Sequence, residues 1–258
     1  MIRAARVLLV CLIALGGACT TTTGPGEKKS ADERAELHAQ LAANYMQRNQ
    51  YDVALSELNK ALKISPRSPV ANYVMALLKT RLKELDDAER YYKRALDANP
   101  KYSEARHYYA VYLCGRGSYG EALQHFDQVL SDPLYSGTSL AYAHAGECVL
   151  SDPAREAASA EVYLEPALAA NPRLANALRS MATVRYQSGN YLSARAFMQR
   201  YFDVGPETPQ TLLLAVRVEL ALGADQAADE YAVRLKRRFP RSEQAAELAK
   251  LTQGSRSR

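Results

Sequence analysis

The sequence has little of what catalytic and metal sites are made from: four histidines and four cysteines in 258 residues. No two histidines stand in an H-x-x-x-H or H-E-x-x-H pair and no C-x-x-C occurs, which removes the common zinc and dithiol spacings. A glycine-rich phosphate loop after a strand pattern is missing, and so is a nucleophile elbow. The carboxylates that do cluster, Glu84, Asp86, Asp87 and Glu89, read as solvated charge on a turn and an exposed helix face. The residues therefore do not read as an enzyme. Charge of one sign is also scarce: the net value is +5, and lower still once Arg3 and Arg6 are removed, too mild for a nucleic-acid surface. The run Lys236, Arg237, Arg238 reads as a helix C-terminus complementing its dipole, or as a contact for acidic partners or lipid headgroups.

Long apolar runs are absent too. The one sustained stretch, Val7 to Leu15, follows two arginines and ends at Gly16, Gly17 and Ala18. That is the layout of a secretory signal, too short to span a bilayer. The exit ALGGAC resembles a bacterial lipobox, which implies cleavage before Cys19 and lipidation of that residue; Gly16 departs from the pattern, in which leucine usually stands three places before the cysteine. The other reading is ordinary cleavage near Ala18, releasing a soluble periplasmic protein. Thr20 is not the aspartate of an inner-membrane retention signal, so the resemblance implies the outer membrane. Several acyl chains at about 0.8 kcal/mol per buried CH₂ make such an anchor effectively permanent. Residues 1–18 are thus expected to be the signal and 19–34 a flexible, lipid-anchored linker.

Against this sparseness stands an internal repeat. YDVALSELNKALKISP (Tyr51 to Pro66) and LDDAERYYKRALDANP (Leu85 to Pro100) superpose with a shift of 34 residues, bringing Ala54 onto Ala88, Ala61 onto Ala95 and Pro66 onto Pro100. The register continues through Ala122 and, after a short insertion around Gly137 to Leu140, through Ala160, Ala194 and Ala228. This is the tetratricopeptide period. It predicts an all-α, right-handed α-solenoid of six helical hairpins at about 35–68, 69–102, 103–136, 141–174, 175–208 and 209–242, with a capping helix at 243–251 and a disordered tail at 252–258. Small residues at Ala42, Ala76, Ala110, Cys148 and Ala182 mark close helix approach, with Val216 at the same place. Tyr92, Phe126, Leu164 and Met198 fill the spaces between, and Gly117, Gly189 and Gly223 open the turns.

The step from the third to the fourth hairpin breaks the pattern with the displaced Pro133, the loop SDPLYSGTSL and a second SDP at Ser151 to Pro153. It reads as the weakest stacking step. Cys114 and Cys148 fall there, on first helices that neighbour each other. Once Cys11 leaves with the signal and Cys19 is acylated, they form an even pair in an oxidising compartment, so a disulfide is the economical reading; two buried free thiols are the alternative.

A solenoid commonly binds through the concave groove lined by its first helices. The register places Met46, Tyr73, Leu77, His107, Val111, Tyr142, Val149, Arg179, Thr183 and Tyr186 on that side. Tyrosines among apolar residues suit an amphipathic partner segment, though a Tyr and Leu stripe at helical spacing also serves as core. His107 reads equally well as a groove donor and as an interhelix histidine.

With a lipobox at Cys19, six repeats without an added domain, and the segments HYYAVYLCGRGSYGEALQHFDQVLSDPLY (His107 to Tyr135) and AYAHAGECVL (Ala141 to Leu150), the chain resembles the type IV pilus biogenesis lipoproteins of the PilW/PilF family. The resemblance implies a lipid on Cys19, a Cys114–Cys148 disulfide, no cofactor, and a pilotin: an outer-membrane protein whose groove holds a secretin subunit and promotes assembly of the secretin ring. Two other readings remain from the residues: a tetratricopeptide lipoprotein scaffolding peptidoglycan enzymes or outer-membrane assembly, and an envelope enzyme or its accessory, which would need a catalytic constellation.

Overall fold

A computed structural model of the chain describes residues 30–255, with side chains described as far as Lys250. The signal, Cys19 and the spacer to Lys29 lie outside the described residues. All regular structure among the described residues is helical, in the order α1 (Ala31–Gln47), α2 (Tyr51–Ile64), α3 (Pro69–Arg81), α4 (Leu85–Ala98), α5 (Ser103–Gly115), α6 (Tyr119–Leu130), α7 (Thr138–Ser151), α8 (Glu161–Ala170), α9 (Ala175–Gln187), α10 (Tyr191–Phe202), α11 (Pro209–Ala221), α12 (Asp225–Arg238) and α13 (Glu243–Ser255). A 3₁₀ turn at Ala157–Ala160 leads into α8. Consecutive helices pair as antiparallel hairpins, and the hairpins stack in chain order as a tetratricopeptide solenoid. Among the described residues no helix is long and apolar enough to cross a membrane.

Local chemistry sets where helices begin. The Ser30 hydroxyl accepts from the Glu33 amide while Glu33 accepts from the Ser30 amide, a reciprocal cap that starts α1. Helix α1 therefore begins at Ala31, four residues inside the expected linker. Ser68 before Pro69, and Thr208 before Pro209, cap α3 and α11 with a hydroxyl followed by a proline that loses no hydrogen bond in the first turn. At the other end α13 continues to Ser255, through residues 252–255 that the sequence reading gave to the tail.

The hairpin turns share one device. The residue at the fifteenth position of each regular unit adopts positive φ: Gly117 at +80°, Gly189 at +74° and Gly223 at +69°, but also Asn49 at +58° and Lys83 at +61°. A left-handed residue there reverses the chain, and the first two hairpins accept the steric cost that glycine avoids. The fourth hairpin lacks this turn and uses residues 152–156 and the 3₁₀ segment instead.

Packing explains the repeated alanines. Ala54, Ala88, Ala122, Ala160, Ala194 and Ala228 are each at most 2% exposed. Leu58, Tyr92, Phe126, Leu164 and Met198 fill the adjoining space and are equally buried. The weakest step is not where the sequence placed it. One apolar core runs unbroken from Ala35 on α1 to Val184 on α9, across the third and fourth hairpins. Helix α7 begins at Thr138, earlier than the repeat boundary, and the missing side chain of Gly146 leaves room for Leu164, whose Cδ2 lies 2.5 Å from where a Cβ would stand. The core divides further along. Helix α9 gives Ala177, Met181 and Val184 to the large cluster, and Leu178 and Ala182 to a separate one with Met198, Tyr201 and Ala215. A third cluster, around Leu212, Leu235 and Leu248, closes the C-terminal end.

Candidate functional site: a cleft on the concave face

Helices α1, α3 and α5 are first helices of successive hairpins, and between them lies a cleft of about 330 Å³. Met46 comes from α1, Tyr73, Leu77 and Arg81 from α3, and Glu104 and Tyr108 from α5. These come together because residues three or four apart on a helix share a face, and the 34-residue period puts the same face of each first helix toward the groove. Tyr73 packs edge-on against Tyr102, ring centroids 5.4 Å apart, and at 6.1 Å from Tyr108. Its hydroxyl donates to Glu104 Oε1 at 3.4 Å. The Tyr73 side chain is only 5% exposed, so the cleft meets one edge of the ring; burial, with the nearby Glu104 charge, pushes its phenol pKa far above the ordinary value.

Of the ten residues the register assigned to the groove, Met46, Tyr73 and Leu77 line this cleft. Two assignments are corrected outright. Val149 is 1% exposed and belongs to the core. His107 is fully buried: Nδ1 lies 2.8 Å from the Tyr135 hydroxyl and Nε2 lies 2.9 Å from Nδ1 of His144. Burial, reinforced by His144, lowers the His107 pKa to about 3, and burial lowers that of His144. Both rings are therefore neutral at pH 7. His107 supports the cleft from behind, because Tyr108 stacks on it at 4.9 Å.

Val111 and Tyr142 are partly buried against the large core. Further along, the Arg179 guanidinium is ion-paired with Glu147, the Thr183 hydroxyl donates to the Arg179 carbonyl at 3.1 Å, and Tyr186 packs on Tyr191 at 5.7 Å. None of these five lines the cleft. The sequence reading missed Tyr108, Arg81 and Glu104. Tyr108 directly follows His107, about 100° away around the helix, and a register exact to one residue was needed to choose between them. The sulfurs of Cys114 and Cys148 are bonded, linking α5 to α7 with Cα atoms 5.6 Å apart. Among the described residues no cluster of His, Cys, Asp or Glu could hold a metal ion.

The model of a tetratricopeptide repeat matches residues 45–111, most of the cleft-forming segment. Over 241 residues the chain is 28% identical to the type IV pilus assembly protein PilF of Pseudomonas aeruginosa, covering 92% of this chain and 95% of that one. The solved structure of P. aeruginosa PilF superposes with a TM-score of 0.76 at 27% identity, over 86% of this chain and 99% of that one. The solved structure of PilW, described as a widely conserved type IV pilus biogenesis factor, gives 0.75 at 30% identity, over 83% and 98%. This chain belongs to the PilF/PilW family. A tetratricopeptide protein from Parabacteroides merdae also superposes, at 0.62 and 20% identity, and shares the fold. The correspondence with PilF and PilW runs nearly end to end, so the family's solenoid makes up almost the whole described body, with the cleft at its N-terminal half.

Proposed function

We propose that this protein acts in type IV pilus biogenesis as a pilotin: a lipid anchor on Cys19 holds the solenoid at the periplasmic face of the outer membrane, where the concave cleft engages a secretin subunit and promotes its localisation and multimerisation. The observation that carries this reading is the match with PilF along 92% of the chain and 95% of the relative. The cleft supports it chemically. Tyrosine and aliphatic side chains in a concavity offer packing area with polar tips, the surface that protein segments dock against. The two bonded cysteines agree with an oxidising compartment outside the cytoplasm.

The test compares membranes from cells with and without the gene, probing the secretin on gels that preserve its heat-resistant multimer. Loss of the multimer, or retention of secretin in the inner membrane, is expected; Cys19→Ala should reproduce the mislocalisation. If multimer and location are unchanged, the secretin is not the client and a general envelope scaffold takes its place.

A further inference from the structure

Resting on the reading that the cleft binds a protein segment, we propose that its occupant is an extended stretch of the pattern basic–x–apolar–x–acidic. Arg81 and Glu104 line the cleft, and neither forms an ion pair among the described residues. Several arginines further along the solenoid are matched across helices: Arg179 with Glu147, Arg185 with Glu161, Arg195 with Glu219, Arg217 with Glu247 and Arg234 with Glu207. Arg81 and Glu104 line one cleft with opposite charges and are not paired with each other.

Their separation sets the pattern. Glu104 sits at the Tyr73 end of the cleft, within hydrogen-bond reach of the Tyr73 hydroxyl. Arg81 is eight residues further along the same helix, about 12 Å at 1.5 Å per residue. An extended chain advances about 3.3 Å per residue, so residues i and i+4 are about 13 Å apart, and i, i+2 and i+4 project from one face. A basic residue opposite Glu104 and an acidic residue opposite Arg81 then leave the middle side chain over Met46, Leu77 and the edges of Tyr73 and Tyr108.

The experiment is a fluorescence anisotropy titration of the full chain in detergent with labelled GSKSLSESG. Arg81 and Glu104 are exposed, and circular dichroism checks that each variant keeps its fold. Arg81→Glu and Glu104→Lys should each weaken this peptide at least about fivefold, since each turns an attraction into a repulsion. The matched peptides GSKSLSKSG with Arg81→Glu, and GSESLSESG with Glu104→Lys, should regain the affinity, and Leu→Ser in the peptide should abolish binding. Absence of binding, indifference to either reversal, or failure of both matched peptides overturns the inference. Tighter binding by a helix-stapled peptide with the charges at i and i+8 overturns the extended form. No secretin is present in this assay. A null result here with secretin assembly still dependent on the gene therefore sinks only the occupant's pattern, whereas charge-dependent peptide binding with secretin unaffected sinks only the pilus reading.

Discussion

Removing the covalent link between α5 and α7 is expected to lower the stability of the third and fourth hairpins by roughly 4 kcal/mol. The two cysteines are 34 residues apart, and a crosslink closing a loop of that size restricts the unfolded chain by roughly 3.8 kcal/mol on the chain-entropy relation. The variant should isolate this term. Serine at position 148 would bury a hydroxyl in a site that is 0% exposed, adding about 1–3 kcal/mol for an unsatisfied polar group. Alanine is what four of the other five hairpins place there, as Ala42, Ala76, Ala110 and Ala182, all fully buried. The paired change Cys114→Ala with Cys148→Ala therefore removes the link and keeps the packing. At about 2–4 °C per kcal/mol for a chain of this size, the melting temperature should fall by about 8–15 °C. Because stacked repeats unfold in parts, hydrogen exchange should accompany the melt, with protection lost first along α5, α6 and α7. A double variant melting within about 2 °C of the parent, together with reactive thiols at Cys114 and Cys148 in the denatured parent, would refute the reasoning.

Acid should act through His107. Its pKa of about 3 lies below the ordinary 6.5, so between those values the unfolded chain binds a proton that the native state refuses. Stability thus falls as pH drops below 6.5 and the loss saturates near 3, amounting to about 2–3 kcal/mol between pH 7 and pH 4.5. Denaturant midpoints at both pH values should show this dependence in the parent and much less of it in His107→Gln; equal dependence would assign it elsewhere. Gly189→Ala should destabilise by about 1 kcal/mol from the left-handed backbone alone, since nothing lies within 4 Å of the added Cβ. Gly120→Ala, equally unobstructed but inside α6, should stabilise by up to about 1 kcal/mol, and urea midpoints read the opposite signs. Glu219→Ala should cost about 1.5–3 kcal/mol by stripping the charged hydrogen bonds from Arg195, whose Nε donates to Glu219 Oε1 at 3.0 Å, and calorimetry should place the loss in the last two hairpins.

What could be read from the residues were the features that packing repeats. An alanine where two helices touch is needed in every unit, so six of them mark the period, and all six prove buried. A glycine where the chain reverses is nearly as visible, but Asn49 and Lys83 take the same backbone state without the signature residue. The cleft was only half legible. Met46, Tyr73 and Leu77 follow from the register, whereas Tyr108 replaces His107 because a rotation of one residue decides which side chain meets solvent. In α5 that rotation is set by partners distant in sequence, Tyr135 and His144. The solidity of the third-to-fourth step was hidden for the same reason: Pro133 and the extra loop look like interruptions, yet the loop delivers Tyr135 onto the histidine behind the cleft wall.

Helix α9 has a mechanical consequence. Its buried residues divide between two clusters bridged by the partly buried Leu168 and Phe197, so bending of the C-terminal end is expected to concentrate at this helix. Load applied to the C-terminal end would be taken up as elastic bending there. The first four hairpins, sharing one interior and stitched at α5 and α7, would keep the shape of their concavity while the molecule flexes, much as a rigid handle on a compliant tail.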